Sequence, residues 1–197
     1  MNHFIIILTG VCMLTTLQAQ DKSLMNPTLE TIFQRKSVRH FKPGTVTKEQ
    51  LDMLVRAGMA APTAVDCRPW EFIVVSDKAL LNKLADELPY AKMAKDASAA
   101  IMVLGDLDKQ FGGKKSLFWI MDCSAATENI LLAAESMKLG AVWTAIYPDK
   151  DRVEAVKKIL KIPGNRVPLN LIPVGNPTGQ DKPKNKYNPE QIHWNKW

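Results

Sequence analysis

The sequence predicts one domain of mixed α and β structure, a single sheet with helices on both faces. Segments of strand length alternate with segments of helical spacing, in the order helix, helix, strand, helix, strand, helix, strand, helix, strand, tail. One strand segment, Ala99 to Gly105, is apolar throughout, as a central strand covered on both faces must be. The chain of 197 residues is 46% hydrophobic and 23% charged, enough for one core without disulfides or a structural metal. No internal repeat or second domain is visible, and the element order leaves the strand directions open.

Taken in order, Asn26-Pro27 reads as an N-cap with proline at the first helical position, opening a short helix to about Arg35. Pro43-Gly44 is a turn. Thr47-Lys48-Glu49-Gln50 fits a capping box, and Leu51, Leu54, Val55, Gly58 and Met59 follow at helical spacing. That helix must end before Pro62, because the residue preceding proline is pushed out of the α region. Ala61 to Pro69 is a loop, Glu71 to Ser76 a strand, and Leu80, Leu84 and Leu88 mark the next helix. After the Ala99 strand, Gly112-Gly113 with flanking lysines predicts a flexible loop. Phe118 to Leu139 is a long helix, apolar most of the way round, with Gly140 as its C-terminal cap. Such a helix belongs at the centre of a domain or at a subunit interface. Ala141 to Tyr147 is a third strand, Asp149 or Asp151 caps a helix through Leu160, and Pro163-Gly164 turns the chain into a fourth strand, Leu169 to Val174. Asn176 to Trp197 changes character, with Pro, Lys, Asn and Gln and two terminal tryptophans, Trp194 and Trp197.

The first residues read as a targeting segment. Phe4 to Leu17 is apolar and uncharged, and Leu17-Gln18-Ala19 precedes a polar stretch, the pattern of a secretory signal peptide cut after Ala19. An anchored N-terminal helix is the other reading of the same run. On the first reading residues 1–19 are a signal peptide, 20–197 are one domain, and the protein is exported, to a periplasm. Cleavage removes Cys12 and leaves Cys67 and Cys123, which could pair or remain free thiols.

The formal net charge is +6, and the pI is near 9.2. The positive charges cluster at Arg35 to Lys42 and at Lys182, Lys184 and Lys186. Nucleic acid or anionic lipid is the least favoured partner, because these clusters carry no interleaved stacking aromatics. A small anion is favoured by Arg35-Lys36-Ser37-Val38-Arg39. In extended backbone Arg35, Ser37 and Arg39 share one face, and two guanidiniums with a hydroxyl grip a phosphate well. His40 and His193 have no second ligand at metal spacing, so no metal site is assigned. No serine has an evident His and Asp arrangement.

Three separated blocks resemble the FMN-dependent nitroreductase family. Arg35-Lys36-Ser37-Val38-Arg39 is similar to that family's R-x-S-x-R. Ala61 to Phe72 (APTAVDCRPWEF) is similar to A-P-S-A-x-N-x-Q-P-W-x-F. Leu139-Gly140-Ala141-Val142-Trp143 is followed far downstream by Pro173-Val174-Gly175 and Lys184-x-Lys186. The blocks keep the family's order over residues 27–187.

The resemblance implies an α+β, three-layer α-β-α fold with a central, mostly antiparallel sheet. It also implies an intertwined homodimer with flavin sites at the subunit interface and a C-terminal arm laid on the partner. It places the FMN phosphate and ribityl chain on Arg35, Ser37 and Arg39, with a backbone or charge contact from Lys36 and a second grip from Lys184 and Lys186. It lays Pro62, Thr63 and Ala64 along the isoalloxazine ring. It turns the backbone N–H groups of Trp143, Thr144 and Ala145 toward flavin N5 and O4. Asp66 and Arg68 stand where the family has Asn and Gln. An arginine facing the pyrimidine edge favours the anionic reduced flavin, and a paired Asp66 offsets it.

The implied activity is electron transfer through flavin N5, from a reduced small-molecule donor such as NAD(P)H to an electron-poor acceptor such as a nitroaromatic or quinone. The alternative is a flavin-binding protein that stores or delivers FMN without turnover. Export conflicts with a cytosolic NAD(P)H pool, so the donor is left open.

Overall fold

The computed structural model describes residues 24–197; the expected signal segment and Cys12 lie outside the described residues. The chain divides into two units, residues 1–34 and 35–197. In the first, α1 (Pro27–Gln34) starts as its sequence predicts. The Asn26 side chain accepts hydrogen bonds from the Thr28 and Leu29 N–H groups at 3.0 and 3.1 Å.

The second unit holds a six-stranded antiparallel sheet with the strand order β1-β6-β3-β2, and β4 and β5 also pair with β6. Its elements are β1 (Phe41–Lys42), α2 (Lys48–Met59), β2 (Trp70–Val75), α3 (Lys78–Glu87), β3 (Ala99–Asp106), α4 (Phe118–Ser136), β4 (Gly140–Ala141), β5 (Thr144–Ala145), α5 (Lys150–Leu160) and β6 (Arg166–Pro177). The expected capping box forms, with the Thr47 side chain accepting from the Gln50 N–H and the Gln50 side chain accepting from the Thr47 N–H. Of the two candidate caps for α5, Asp149 is the one used, accepting from the Arg152 N–H at 3.1 Å.

The side-chain period of two in β3 sorts the core into two layers. Ile101 and Val103 face the layer of α2 and α4, with Leu51, Leu54, Ala126 and Ile130. Ala100, Met102 and Leu104 face the layer of α3 and α5, with Leu81, Leu84, Val153 and Val156. Every residue of β3 is buried, as its unbroken apolar run requires. The β3–β6 register shifts at Val103/Leu104, where Leu169 is passed over. In consequence Leu169 packs in the α2/α4 layer while Leu171 packs in the other.

Three expectations need correction. The third strand is not continuous: Val142 and Trp143 leave the ladder, although the register is kept, with Ala141 opposite Val174 and Thr144 opposite Leu171. The helix expected to reach Leu139 ends at Ser136, and Gly140 is not its cap. Lys138 takes the left-handed conformation there, at φ 59°, and the Leu139 N–H donates to the Ala134 carbonyl at 2.8 Å to close the helix end. Gly140 instead lies in β4, where a Cβ would stand 2.5 Å from Val38 Cγ1. The long helix is also less enclosed within the single chain than its composition predicts: Trp119, Cys123, Ala126 and Ile130 are buried, while Phe118 and Met121 are exposed. Among the described residues no helix is long and apolar enough to cross a membrane.

Candidate functional site

The Arg35-to-Arg39 segment precedes β1 and is held by what lies on either side. Val38 is buried, and its N–H donates to the Ala141 carbonyl at 3.0 Å, fastening the segment beside β4. Arg35 Nε lies 3.0 Å from Glu128 on α4, and Lys36 Nζ lies 2.7 and 2.9 Å from the Glu135 carboxylate, two turns further along that helix. These neighbouring side chains both run to one helix stripe. Ser37 is half-buried and Arg39 exposed. The Arg39 guanidinium has no carboxylate partner among the described residues.

The tail meets this segment at its root. Asp181 accepts hydrogen bonds from the Arg39 N–H at 3.0 Å and the His40 N–H at 3.2 Å. His40 Nδ1 lies 3.2 Å from both carboxylate oxygens. Burial pushes the Asp181 carboxyl up, and the donors from Arg39 and His40 outweigh it, holding the group below its usual range. Lys182, Lys184 and Lys186 are all exposed in irregular chain. None of these lysines has a carboxylate partner among the described residues.

The Ala61-to-Pro69 loop is built differently. Thr63 Oγ1 accepts from the Arg68 N–H at 3.2 Å, and the Pro69 carbonyl accepts from the Asp106 N–H at 2.6 Å. Between them Val65, Asp66 and Arg68 adopt positive φ, at 44°, 57° and 49°. A β-branched residue there is an outlier, and left-handed backbone costs roughly 1–2 kcal/mol per residue. Behind the loop stands Asp122 of α4, only 5% exposed. Its Oδ1 accepts from the Ala64 N–H at 3.0 Å, while its Oδ2 is buried without a partner among the described residues.

Asp66 and Arg68 pair at the loop surface, with Arg68 Nε 2.7 Å from Asp66 Oδ1. The guanidinium holds the Asp66 carboxyl below its usual range, and the carboxylate raises Arg68 in turn. Pro62 is exposed and Thr63 and Ala64 are half-buried. Cys67 and Cys123 are free thiols. Burial foremost, then the Asp122 charge, raises the Cys123 thiol far above its usual range, so it is an inert core residue.

In the third block Trp143 is half-buried, Thr144 buried and Ala145 exposed. The Thr144 hydroxyl donates to the Leu171 carbonyl at 2.7 Å. The Thr144 hydroxyl hydrogen is thereby engaged within the sheet.

The chain thus sorts the candidate residues into two groups. Arg35, Lys36, Ser37 and Arg39 are joined to the root of the tail carrying Lys184 and Lys186. Pro62, Thr63, Ala64, Asp66 and Arg68 form a loop set by its backbone. Both groups rest on α4, one through Glu128 and Glu135 and the other through Asp122. Sequence reasoning missed Asp122 and Asp181. Asp122 had a signal, an acid inside the long apolar helix; Asp181 had none. The donor set fits a flavin mononucleotide. Uncompensated Arg39, Lys184 and Lys186 with the Ser37 hydroxyl suit a phosphate dianion. Pro62 to Ala64 offer small side chains to a planar ring, and the Asp122 Oδ2 behind them is buried without a partner among the described residues.

A model of the Nitroreductase family matches residues 32–88 and 85–176. A protein of Methanothermobacter thermautotrophicus, provisionally named NADH dehydrogenase/NAD(P)H nitroreductase, is 43% identical over 171 residues, covering 86% of this chain and 87% of that protein. The solved structure of a protein with the same provisional name from Parabacteroides distasonis is 55% identical with a TM-score of 0.83, covering 88% of this chain and 100% of that one. The structure of an FMN-dependent nitroreductase from Clostridium difficile is 28% identical with a TM-score of 0.77, covering 85% of this chain and 98% of that one.

Proposed function

The chain belongs to the nitroreductase family, and from that premise we propose that it is an FMN-dependent oxidoreductase. It takes electrons from a reduced small-molecule donor, of which NAD(P)H is the one to test first, and passes them to an electron-poor acceptor of the nitroaromatic or quinone type. The observation that carries this reading is the Asp181 contact, which ties the backbone of Arg39 to the segment that carries Lys184 and Lys186, three positive charges without carboxylate partners among the described residues. Bound FMN supplies the redox chemistry at N5. The chain supplies the rest. Arg35, Lys36, Ser37 and Arg39 hold the phosphate and ribityl chain from one side, and Lys184 and Lys186 from the other. Pro62, Thr63 and Ala64 orient the ring. The backbone N–H groups of the Trp143–Ala145 turn stabilise negative charge on the reduced ring, and Asp66 and Arg68 set the charge at the pyrimidine edge.

The two groups of residues on one chain support a homodimer whose flavin sites are completed across the interface. Tyr187, Ile192, Trp194 and Trp197 are exposed on the tail, beyond the last strand. An arm laid on the partner subunit would bury them, and Phe118 and Met121 of α4, with Leu117 just before it, offer an apolar surface for assembly. The apolar run Phe4 to Leu17 supports export through a signal peptide, to a periplasm where the donor would differ from a cytosolic nicotinamide.

The test is anaerobic mixing of the FMN-loaded protein with NADH or NADPH, followed by a quinone. The flavin colour should bleach and then return. A protein that takes up FMN but never bleaches is a flavin carrier, and one that takes up no FMN contradicts the reading altogether.

A further inference from the structure

Asp181 is an unusual anchor for an exposed tail. Beyond the last β1–β6 pairs, Phe41 with Pro177 and Lys42 with Asn176, the two segments stay joined. The Thr178 N–H donates to the His40 carbonyl at 3.0 Å. The Asp181 carboxylate, 15% exposed, then gathers the Arg39 and His40 N–H groups and the His40 ring. Charge-assisted bonds of this kind are roughly twice as strong as neutral ones. They fall on the backbone of Arg39, the one arginine of the Arg35-to-Arg39 run without a carboxylate partner among the described residues.

The position in the chain gives this contact a consequence. Lys184 lies three positions after Asp181, so its Cα is at most about 11 Å away along a fully extended chain. With Asp181 fixed on Arg39, the backbone of Lys184 is tethered within that span of the Arg39 segment, and Lys186 is held on a slightly longer tether. Without that contact the lysines sit on a free polar tail, and localising them becomes an entropic cost paid when the ligand binds.

We propose that Asp181 is the positioning residue of the phosphate site, a clasp that joins its arginine half and its lysine half within one chain. This rests on the flavin reading above and adds to it which residue assembles the phosphate grip. Asp181 touches no ligand. It shapes the backbone that presents Arg39 and limits where the lysines can be.

The test compares FMN with riboflavin, which lacks the phosphate, in fluorescence-quenching titrations of the full-length protein. Asp181→Ala should weaken FMN binding at least about tenfold, the factor for one charge-assisted hydrogen bond, and leave riboflavin binding unchanged. Asp181→Asn, which keeps an acceptor oxygen for the backbone N–H groups, should recover part of the loss. In a chain carrying Lys184→Ala and Lys186→Ala, adding Asp181→Ala should cost clearly less than it does alone, because the clasp acts partly through those lysines. Unchanged FMN affinity in Asp181→Ala, equal loss of FMN and riboflavin, or full additivity with the lysine changes would overturn the clasp. A wild-type protein that binds neither flavin contradicts the flavin reading instead.

Discussion

The Arg35-to-Arg39 segment and the Ala61-to-Pro69 loop serve the same proposed ligand, and they are built on opposite plans. The first is organised by side-chain charge: Arg35 on Glu128, Lys36 on Glu135, Asp181 beneath the Arg39 and His40 N–H groups. The second is organised by backbone conformation: positive φ at Val65, Asp66 and Arg68, with one buried carboxylate holding Ala64. A phosphate is recognised by charged donors in number, so its site can be assembled from long side chains. A flat ring is recognised by the shape of the surface it lies on, so its site must be fixed in the main chain. The two regions should therefore fail in different ways when altered.

The largest effect should fall in the charged region. Arg39→Ala should cost about 1.5–3 kcal/mol of FMN affinity, the range for a hydrogen bond to a charged group. Arg35→Ala should cost less, because its guanidinium is already engaged by Glu128. Titrations ranking Arg35 above Arg39 would break the distinction between partnered and unpartnered charges. Next comes the buried support of the loop. Asp122→Ala leaves the Ala64 N–H without its acceptor and should lower stability by about 1–3 kcal/mol. Amide exchange at Ala64 should rise ahead of exchange in β3, and uniform exchange across both would contradict a local role.

Smaller effects follow. Val65→Gly removes the left-handed penalty of roughly 1–2 kcal/mol and gives back up to about 1 kcal/mol in chain entropy. A small rise in unfolding free energy is expected by denaturant titration, and a fall would mean that the loop is not strained. The smallest effects concern the Asp66–Arg68 pair at the surface. Arg68→Gln should lower the midpoint potential of bound FMN and Asp66→Asn should raise it, because each charge offsets the other. A potentiometric titration that shows no opposed shifts would remove these residues from the ring's surroundings.

Acid tests the charged region by itself. The Asp181 carboxyl is lowered in the folded chain. Its contribution is present above the ordinary aspartate range, about pH 4, and is lost as pH falls through the lowered value. FMN affinity should therefore hold steady down to about pH 4 where this group alone is concerned.

What the sequence made legible follows the same division. The Thr47 box and the apolar Ala99 strand are local patterns, and each forms as read; the cap left open between Asp149 and Asp151 falls to Asp149. The short strand at Phe41–Lys42 escapes, because it exists through pairing with β6 and carries no pattern of its own, and so does the break at Val142 and Trp143 inside the expected Ala141-to-Tyr147 strand. The charged motif at Arg35 to Arg39 could be read from residue types alone. The carboxylates that organise the two regions could not, since Asp122 lies 58 positions from Ala64 and Asp181 lies 142 positions from Arg39. Positive φ at Val65 was equally hidden, because valine is a residue that local preference assigns to extended chain.

The most direct test of the central claim is a titration of the purified protein with FMN, followed by its visible spectrum and by addition of NADH or NADPH without oxygen. The account predicts a yellow protein that binds FMN more tightly than riboflavin and is bleached by the nicotinamide. A colourless protein with no affinity for FMN would contradict it.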